Sequence, residues 1–376
     1  MSDSSYQQLF STLTPEGELR LELKEQEIPT PTENQVVVRV EATPINPSDL
    51  GVMFGWADMA NAKTTGSGND TVLTAPVSEA GMKVMAARVG QSLPIGNEGA
   101  GTVVATGSGD YAKSLDGKVV AAMGGGMYGQ YRCVDAAACL PLQDGHTAKD
   151  GASCFVNPLT ALCMIETMNL EGHTALVHTA AASNLGQMLN RICMDGGVDL
   201  VNIVRKDEQA KLLKDMGAKY VVNSSADTFM ADLTDAIHAT GATLAFDATG
   251  GGTLASSILS AMEAAAARTP GAYSIYGSVK HKQVYLYGGL DTSATTLNRG
   301  YGMAWGVGGW LLPNFLARVG MEVAGRLRAR VANELKTTFA SNYTDELSLT
   351  DVLDAKVMSQ YNSKATGQKF LVCPQK

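Results

Sequence analysis

The sequence predicts an α/β chain of two folding units, a twisted and mostly antiparallel β unit followed by a doubly wound parallel sheet. Three observations predict it. At 376 residues the chain is too long for one small module, given ~150 residues per domain. Up to residue 156 or so it runs in short β-branched stretches punctuated by glycine, proline or aspartate. From Asn157 onward, strand-like and helix-like stretches alternate, at a spacing that implies parallel strands joined by helical crossovers. A content of 45% hydrophobic and 18% charged residues with 40 glycines supplies buried cores and many tight turns, not a disordered chain.

In the first unit, Gln35 to Glu41 (QVVVRVE), Gly101 to Thr106 (GTVVAT) and Lys118 to Ala122 (KVVAA) read as strands. The second opens on a helix over Leu159 to Met168, placed just after Asn157-Pro158 because proline suits the first helical turn. Ala175 to His178 (ALVH) is a first strand, Gly186 to Met194 a helix, and Leu200 to Val204 (LVNIV) a second strand. A helix from Asp207 to Met216 leads through Gly217 into a third strand, Tyr220 to Val222, and Thr243 to Phe246 and Tyr273 to Tyr276 read as strands four and five. Tyr301 to Val319, rich in glycine, tryptophan and leucine and broken by Pro313, suits a helix over a pocket or a subunit contact. There is no repeat, low-complexity tract or polar linker.

Charge and cysteine usage narrow the function. The 29 basic and 37 acidic residues give a net charge of -8 with no block of one sign, which argues against a nucleic-acid partner. No apolar run reaches the ~18 residues needed to span a bilayer, and the opening MSDSSYQQLF lacks the basic-then-apolar order of a secretory signal. No membrane partner and a cytoplasmic location are therefore expected. Cys133, Cys139, Cys154, Cys163, Cys193 and Cys373 form no C-x-x-C pair and lie mostly among apolar residues, as reduced buried thiols do. That spacing also argues against a cysteine-based zinc site.

The strand ALVH runs into Thr179-Ala180-Ala181-Ala182-Ser183-Asn184-Leu185-Gly186-Gln187 and then a helix. A tight turn of small residues there lets backbone N–H groups and the helix dipole approach a pyrophosphate, although alanine, serine and asparagine stand where glycine is usual; a purely structural turn is the equal alternative. Arg205 lies 19 residues past Gly186, near the ~20 at which a dinucleotide fold reads its ribose. Arg205-Lys206 in place of an acid would clamp a 2′-phosphate, favouring NADPH over NADH; the alternative is a solvated basic pair at a strand end.

Further blocks carry a resemblance. Val38-Arg39-Val40-Glu41-Ala42-Thr43-Pro44-Ile45-Asn46-Pro47-Ser48-Asp49, Pro94-Ile95-Gly96-Asn97-Glu98-Gly99-Ala100-Gly101, Asn157-Pro158-Leu159-Thr160-Ala161, Met216-Gly217-Ala218-Lys219-Tyr220-Val221-Val222-Asn223, Phe246-Asp247-Ala248-Thr249-Gly250-Gly251 and Thr366-Gly367-Gln368-Lys369-Phe370-Leu371-Val372 occur in one order. Together they resemble the medium-chain dehydrogenase/reductase superfamily over most of the chain. The resemblance implies a GroES-like catalytic domain over 1–157 and 292–376 wrapped around a Rossmann NADP-binding domain over 158–291.

Zinc alcohol dehydrogenases of that superfamily carry a cysteine before the motif aspartate and Gly-His-Glu; Asn46-Pro47-Ser48 and Gly96-Asn97-Glu98 offer neither thiolate nor imidazole, so no metal is expected. The pattern resembles the quinone oxidoreductase and enoyl reductase branch, which implies hydride transfer from NADPH to a quinone or an α,β-unsaturated carbonyl compound. Asn46 is the implied donor to a developing oxyanion, or else a turn residue ahead of Pro47. Enoyl-thioester reductases usually show Gly-x-Tyr after that motif; Gly55-Trp56-Ala57 stands here, and Tyr128 and Tyr131 are the alternative pocket hydroxyls, with packing as their plain alternative. Thr160, Ala181, Ser183, Asn184, Leu185, Gly186, Arg205, Lys206, Asn223, Asp247, Gly277 and Ser278 are the expected cofactor-binding residues. His178 reads as a packed residue near the cofactor, and Asp247 either faces the cofactor crevice or caps the next helix. Residues 60–84 form an excursion between blocks. A homodimer pairing through Tyr285 to Leu290 (YLYGGL) is what the resemblance implies. Two other functions stay open: a trans-2-enoyl-thioester reductase, and a non-catalytic NADPH-binding protein.

Overall fold

A computed structural model describes residues 5–269 and 274–376. Its chain divides into two compact units, Met1–Val156 with Arg328–Lys376, and Asn157–Leu327.

The first unit is built from β1 (Ser5–Leu13), β2 (Glu18–Glu27), β3 (Gln35–Pro44), β4 (Lys63–Thr65), β5 (Val72–Pro76), β6 (Ser92–Pro94), β7 (Glu98–Thr106), β8 (Val119–Met123), β9 (Tyr131–Asp135) and β10 (Cys139–Pro141). One sheet has the order β4-β5-β2-β1-β6, so the 60–84 excursion adds β5 and the edge strand β4 to it. Leu19 and Leu21 alternate with polar neighbours along β2 and face the core, where each full burial contributes ~1.5–3 kcal/mol. The other sheet centres on β3, which β7 and β9 flank and whose valines are buried on both faces. Helix α1 (Pro47–Phe54) leaves β3 directly, with proline at its start and Asn46 as its N-cap. Shorter helices follow: α2 (Glu79–Val84), α3 (Asp110–Ser114) and α4 (Ala148–Gly151).

Helix α5 (Val156–Leu170) leads into the second unit. There β11 (Ala175–His178), α6 (Asn184–Asp195), β12 (Asp199–Val204), α7 (Asp207–Asp215), β13 (Tyr220–Asn223), α8 (Phe229–Thr240), β14 (Leu244–Asp247), β15 (Gly250–Gly252), α9 (Leu254–Ala267), β16 (Lys282–Leu286), β17 (Asp291–Thr295) and β18 (Trp305–Gly309) alternate as a parallel sheet requires. Six of these strands form one sheet in the order β13-β12-β11-β14-β16-β18, every pairing parallel. This is the doubly wound Rossmann order, in which the chain reverses direction at β11 and β14. All residues of β11 and β14 are buried, as expected of strands covered on both faces. In α6, Leu185, Met188, Leu189, Ile192 and Cys193 form one inward stripe.

Helix α10 (Leu312–Asn333), interrupted at Gly320 by a left-handed φ of 82°, carries the chain back to the first unit. The tail adds β19 (Asp345–Leu347), α11 (Ala355–Asn362) and β20 (Phe370–Val372), and β20 pairs antiparallel with β3. Among the described residues, no helix is long and apolar enough to cross a membrane.

Four expectations are corrected. The fifth parallel strand is Lys282–Leu286; Tyr273 lies outside the described residues, and 274–276 form an exposed turn whose Ile275 and Tyr276 have no sheet neighbours to pack on. Residues 301–319 supply a strand, β18, as well as the start of α10, so 292–327 belongs with the parallel sheet and not with the β unit. Tyr285 to Leu290 is no free edge, because β16 is paired on one side by β14 and on the other by β18. Gly277 and Ser278 precede β16, at the amino end of the strands, whereas ligands of such sheets sit at the carboxyl end.

Candidate active site

The carboxyl edge of the parallel sheet assembles most of the expected cofactor residues. Thr179 to Ser183 forms the turn between β11 and α6, with Ala180 at a left-handed φ of 49°. Ser183 caps α6 by accepting from the Gly186 N–H at 3.1 Å. A side chain at Gly186 would collide with the Ala181 carbonyl, so only glycine lets the first turn of α6 close this tightly on the loop. Ala181, Ser183, Asn184, Leu185 and Gly186 thus frame the helix N-terminus, with its positive dipole end toward the loop.

Arg205 and Lys206 follow β12, both exposed, and Asn223 ends β13. With Asp207, Glu208, Ser225 and Ala226 they line an open cavity of about 630 Å³. Asn223 Nδ2 donates to Asp207 Oδ1 at 2.8 Å, and its Oδ1 accepts from the Ser225 N–H at 2.9 Å. Asp207 is therefore held by an amide, while both cations face solvent.

Asp247, at the end of β14, is fully buried. Its carboxylate accepts from Thr179 Oγ1 at 2.7 Å, from the Thr249 N–H at 2.8 Å and from the Gly250 N–H at 3.2 Å. These bonds close a turn over 247–250, so Asp247 does not cap the next helix, α9, whose N-cap is Thr253. Thr160 is buried inside α5. Ser278 Oγ and N–H donate to Glu263, which also receives the buried Lys282 ammonium at 2.7 Å, so that loop is an ion-pair anchor. Sequence reasoning missed Tyr287, Gly288 and Gly289, which follow β16 and line a second open cavity of about 550 Å³ with Trp310 and Leu311. The signal is in the residues: a β-prone run ending in Gly-Gly marks a strand's end better than Tyr276-Gly277-Ser278 does.

In the first unit, Asn46 lies in a buried polar cluster. Its Nδ2 donates to Glu98 Oε1 at 2.8 Å, and its backbone N–H donates to Asp49 Oδ2 at 2.8 Å. Asp49 Oδ1 accepts from the Asn97 N–H at 2.8 Å, and Glu98 Oε2 accepts from the Phe155 and Val156 N–H groups. Burial pushes the Asp49 carboxyl up to about 7 against those N–H bonds, and raises Glu98 in the same way. Lys369, on the returning tail, is pushed down to about 8 by burial, with Glu98 and Asp49 opposing the shift. Tyr128 is fully buried and donates to the Pro44 carbonyl at 3.0 Å, which makes it a core residue rather than a pocket hydroxyl. Trp56, by contrast, is 54% exposed just past α1.

A family model described as Alcohol dehydrogenase GroES-like domain matches residues 32–144, and one described as Zinc-binding dehydrogenase matches residues 185–297. The chain is 27% identical over 214 residues to the mitochondrial enoyl-[acyl-carrier-protein] reductase of Bos taurus, covering 54% of this chain and 48% of that protein. It is 30% identical over 131 residues to prostaglandin reductase-3 of Mus musculus, 34% of each. The chain spans about half or less of the length of these curated relatives. Among solved structures it is similar to a Mesorhizobium loti protein provisionally named an NADPH:quinone reductase, at 28% identity, a TM-score of 0.75 and 100% coverage of both chains. The zinc in one model's description does not fit the Asn46 cluster. Its donors include neither thiolate nor imidazole, and both carboxylates already accept N–H bonds.

Proposed function

Because this chain belongs to the medium-chain dehydrogenase/reductase superfamily, in its zinc-independent branch, we propose that it is an NADPH-dependent reductase of a quinone or another α,β-unsaturated carbonyl compound. The observation that carries the reading is the carboxyl edge of the parallel sheet. A helix N-terminus behind a glycine-tight turn sits one strand away from a cavity lined by two exposed cations. These residues fit a dinucleotide: the turn at Ala181 to Gly186 would hold its pyrophosphate, and Arg205, Lys206, Asn223 and Ser225 its 2′-phosphate. When bound, the nicotinamide supplies a hydride to the acceptor.

The chain's own contribution is binding, orientation and charge. Arg205 presents a planar fork of donors suited to a phosphate, and the Lys206 ammonium adds a second positive charge. Asn46, its amide oriented by Glu98, is the residue proposed to donate to the acceptor oxygen as negative charge develops there. Similarity to enoyl-[acyl-carrier-protein] reductases supports a thioester reductase as the second reading, and Trp56 in place of a tyrosine disfavours it, since an indole is no practical proton donor. A non-catalytic NADPH-binding role is the third reading. Six free cysteines suit a reducing compartment such as the cytoplasm. A homodimer would pair through β18, the outer strand beside β16 in the sheet order.

Loss of the reduced-nicotinamide absorbance, followed with NADPH and separately NADH against quinones, enones and one enoyl-CoA with a chelator present, tests the reading. NADPH-selective, chelator-insensitive turnover of a quinone or enone is expected. Preference for the enoyl-CoA would select the thioester reading, and binding without turnover across the panel would select the non-catalytic one.

A further inference from the structure

The carboxyl edge of the parallel sheet also holds a pair of groups that the cofactor reading leaves unused. His178, the last residue of β11, is fully buried, and its Nε2 lies 2.8 Å from the Tyr287 hydroxyl. The two rings stack at 5.8 Å between centroids with 21° between their planes. Tyr287 directly follows β16 and lines the open cavity of about 550 Å³ beside Gly288, Gly289 and Trp310. Among the described residues, His178 Nδ1 is buried without a hydrogen-bond partner.

That orphan nitrogen fixes the direction of the hydrogen bond. Burial pushes the His178 imidazole down to about 3, so the ring is neutral near pH 7 and carries a single N–H. With the hydrogen on Nδ1, the ring would bury an unsatisfied donor, which is rarer and more costly than an under-used acceptor. The hydrogen therefore sits on Nε2 and is donated to Tyr287 Oη. Burial, and then the Asp247 charge, raise the Tyr287 pKa, so the phenol keeps its proton. Its own O–H is not consumed by His178.

We propose that Tyr287 is a binding residue that donates its hydroxyl hydrogen to a carbonyl oxygen lodged in the cavity beside it, and that His178 is the positioning residue that holds the hydroxyl in that sense. The ligand rests on the proposed function, in which a carbonyl comes either from the nicotinamide carboxamide or from the acceptor. The hydrogen-bond direction does not depend on it.

Nitrogen-labelled protein and long-range proton–nitrogen NMR read the His178 tautomer, the signal being assigned by its loss in His178→Gln. Nε2–H is expected, and Nδ1–H overturns the proposal whatever the ligand. Tyr287→Phe removes only the oxygen and should weaken one interaction by about fivefold to tenfold. A rise in the NADPH Kd identifies the carboxamide as partner; a rise in acceptor KM at unchanged NADPH Kd identifies the acceptor. His178→Gln keeps an N–H donor for Tyr287 and should stay within about twofold of the wild type, whereas His178→Leu should match Tyr287→Phe. If Tyr287→Phe equals a wild type that binds NADPH and turns over, the hydroxyl's role is overturned and the reductase reading stands. A wild type that neither binds NADPH nor reduces any acceptor overturns that reading and, with it, the ligand assigned to Tyr287.

Discussion

Two buried amides join the helix and the strand that would together hold the dinucleotide. Asn190 Nδ2 in α6 donates to Asn202 Oδ1 in β12 at 2.7 Å, and Asn202 Nδ2 returns a bond to Asn190 Oδ1 at 3.0 Å. Asn190 also donates to the Gly186 carbonyl at 3.0 Å, and Asn202 to the Tyr220 carbonyl at 3.2 Å. The pair thus ties the first turn of α6 to the strand that ends at Arg205. Asn202→Leu leaves one N–H and one oxygen of Asn190 buried and unsatisfied, at ~1–3 kcal/mol each, so a loss of about 4 kcal/mol is expected. Changing both residues to leucine removes the orphans together, so the double loss should fall short of the sum of the single losses by at least ~2 kcal/mol. Urea unfolding followed by the fluorescence of Trp305 and Trp310 reports on this unit, in a Trp56→Phe background that removes the exposed indole of the other unit. A single loss under ~1 kcal/mol, or an additive cycle, would refute the argument that this amide exchange holds the helix to the strand.

Other outcomes follow from the same contacts. Replacing Arg205 and Lys206 by acids should raise the Michaelis constant for NADPH at least ~10-fold while sparing NADH, as expected from losing charge-assisted bonds to a phosphate; an unchanged cofactor preference would sink the 2′-phosphate assignment. Glu263→Gln leaves the buried Lys282 without its ion-pair partner and should cost ~3–5 kcal/mol in the parallel-sheet unit without altering NADPH affinity; weakened NADPH binding in a folded variant would return the Ser278 loop to the cofactor site. Asp49 takes up a proton in the folded state below about 7 but in the unfolded chain only near 4. Its contribution to stability therefore falls as pH rises from about 4 to 7, by up to ~1.4 kcal/mol per unit. Unfolding midpoints of the wild type and Asp49→Asn across that range should differ in slope, and parallel slopes would count against the assignment.

Where local pattern and global fold agree, the fold was legible in the residues. The β-branched runs of β3 and β7, the ALVH strand with its small-residue turn, and the 19-residue step to Arg205 all reappear in place. The fifth strand was misplaced because Tyr273 to Tyr276 and Lys282 to Leu286 are both β-prone, and only burial separates them: Val284 is in the core while Ile275 and Tyr276 face solvent. With the strand placed at Tyr273 to Tyr276, the expected cofactor-binding residues fall on Gly277 and Ser278 at the amino end of the sheet, and not on the Gly288–Gly289 turn at its carboxyl end. The contact of Asn46 with Glu98 was not legible, since 52 residues separate the two and only the folded sheet brings them together.

Asn46 is where anchoring and acceptor binding can be told apart. The amide bonds a buried carboxylate, so Asn46→Ala should cost ~2–3 kcal/mol through that bond and the lost N-cap, whatever the residue does in turnover. A loss of stability alone therefore says nothing about chemistry. Kinetics per folded molecule do, because removing a donor to a developing oxyanion costs ~10²–10³ in kcat. We expect a kcat for Asn46→Ala lowered by at least ~100-fold at unchanged NADPH Kd, with Asn46→Ser recovering part of it because its hydroxyl still donates. A kcat within about twofold of the wild type, measured at a temperature where the variant stays folded, would reduce Asn46 to the anchor of α1 and leave the acceptor oxygen to other donors.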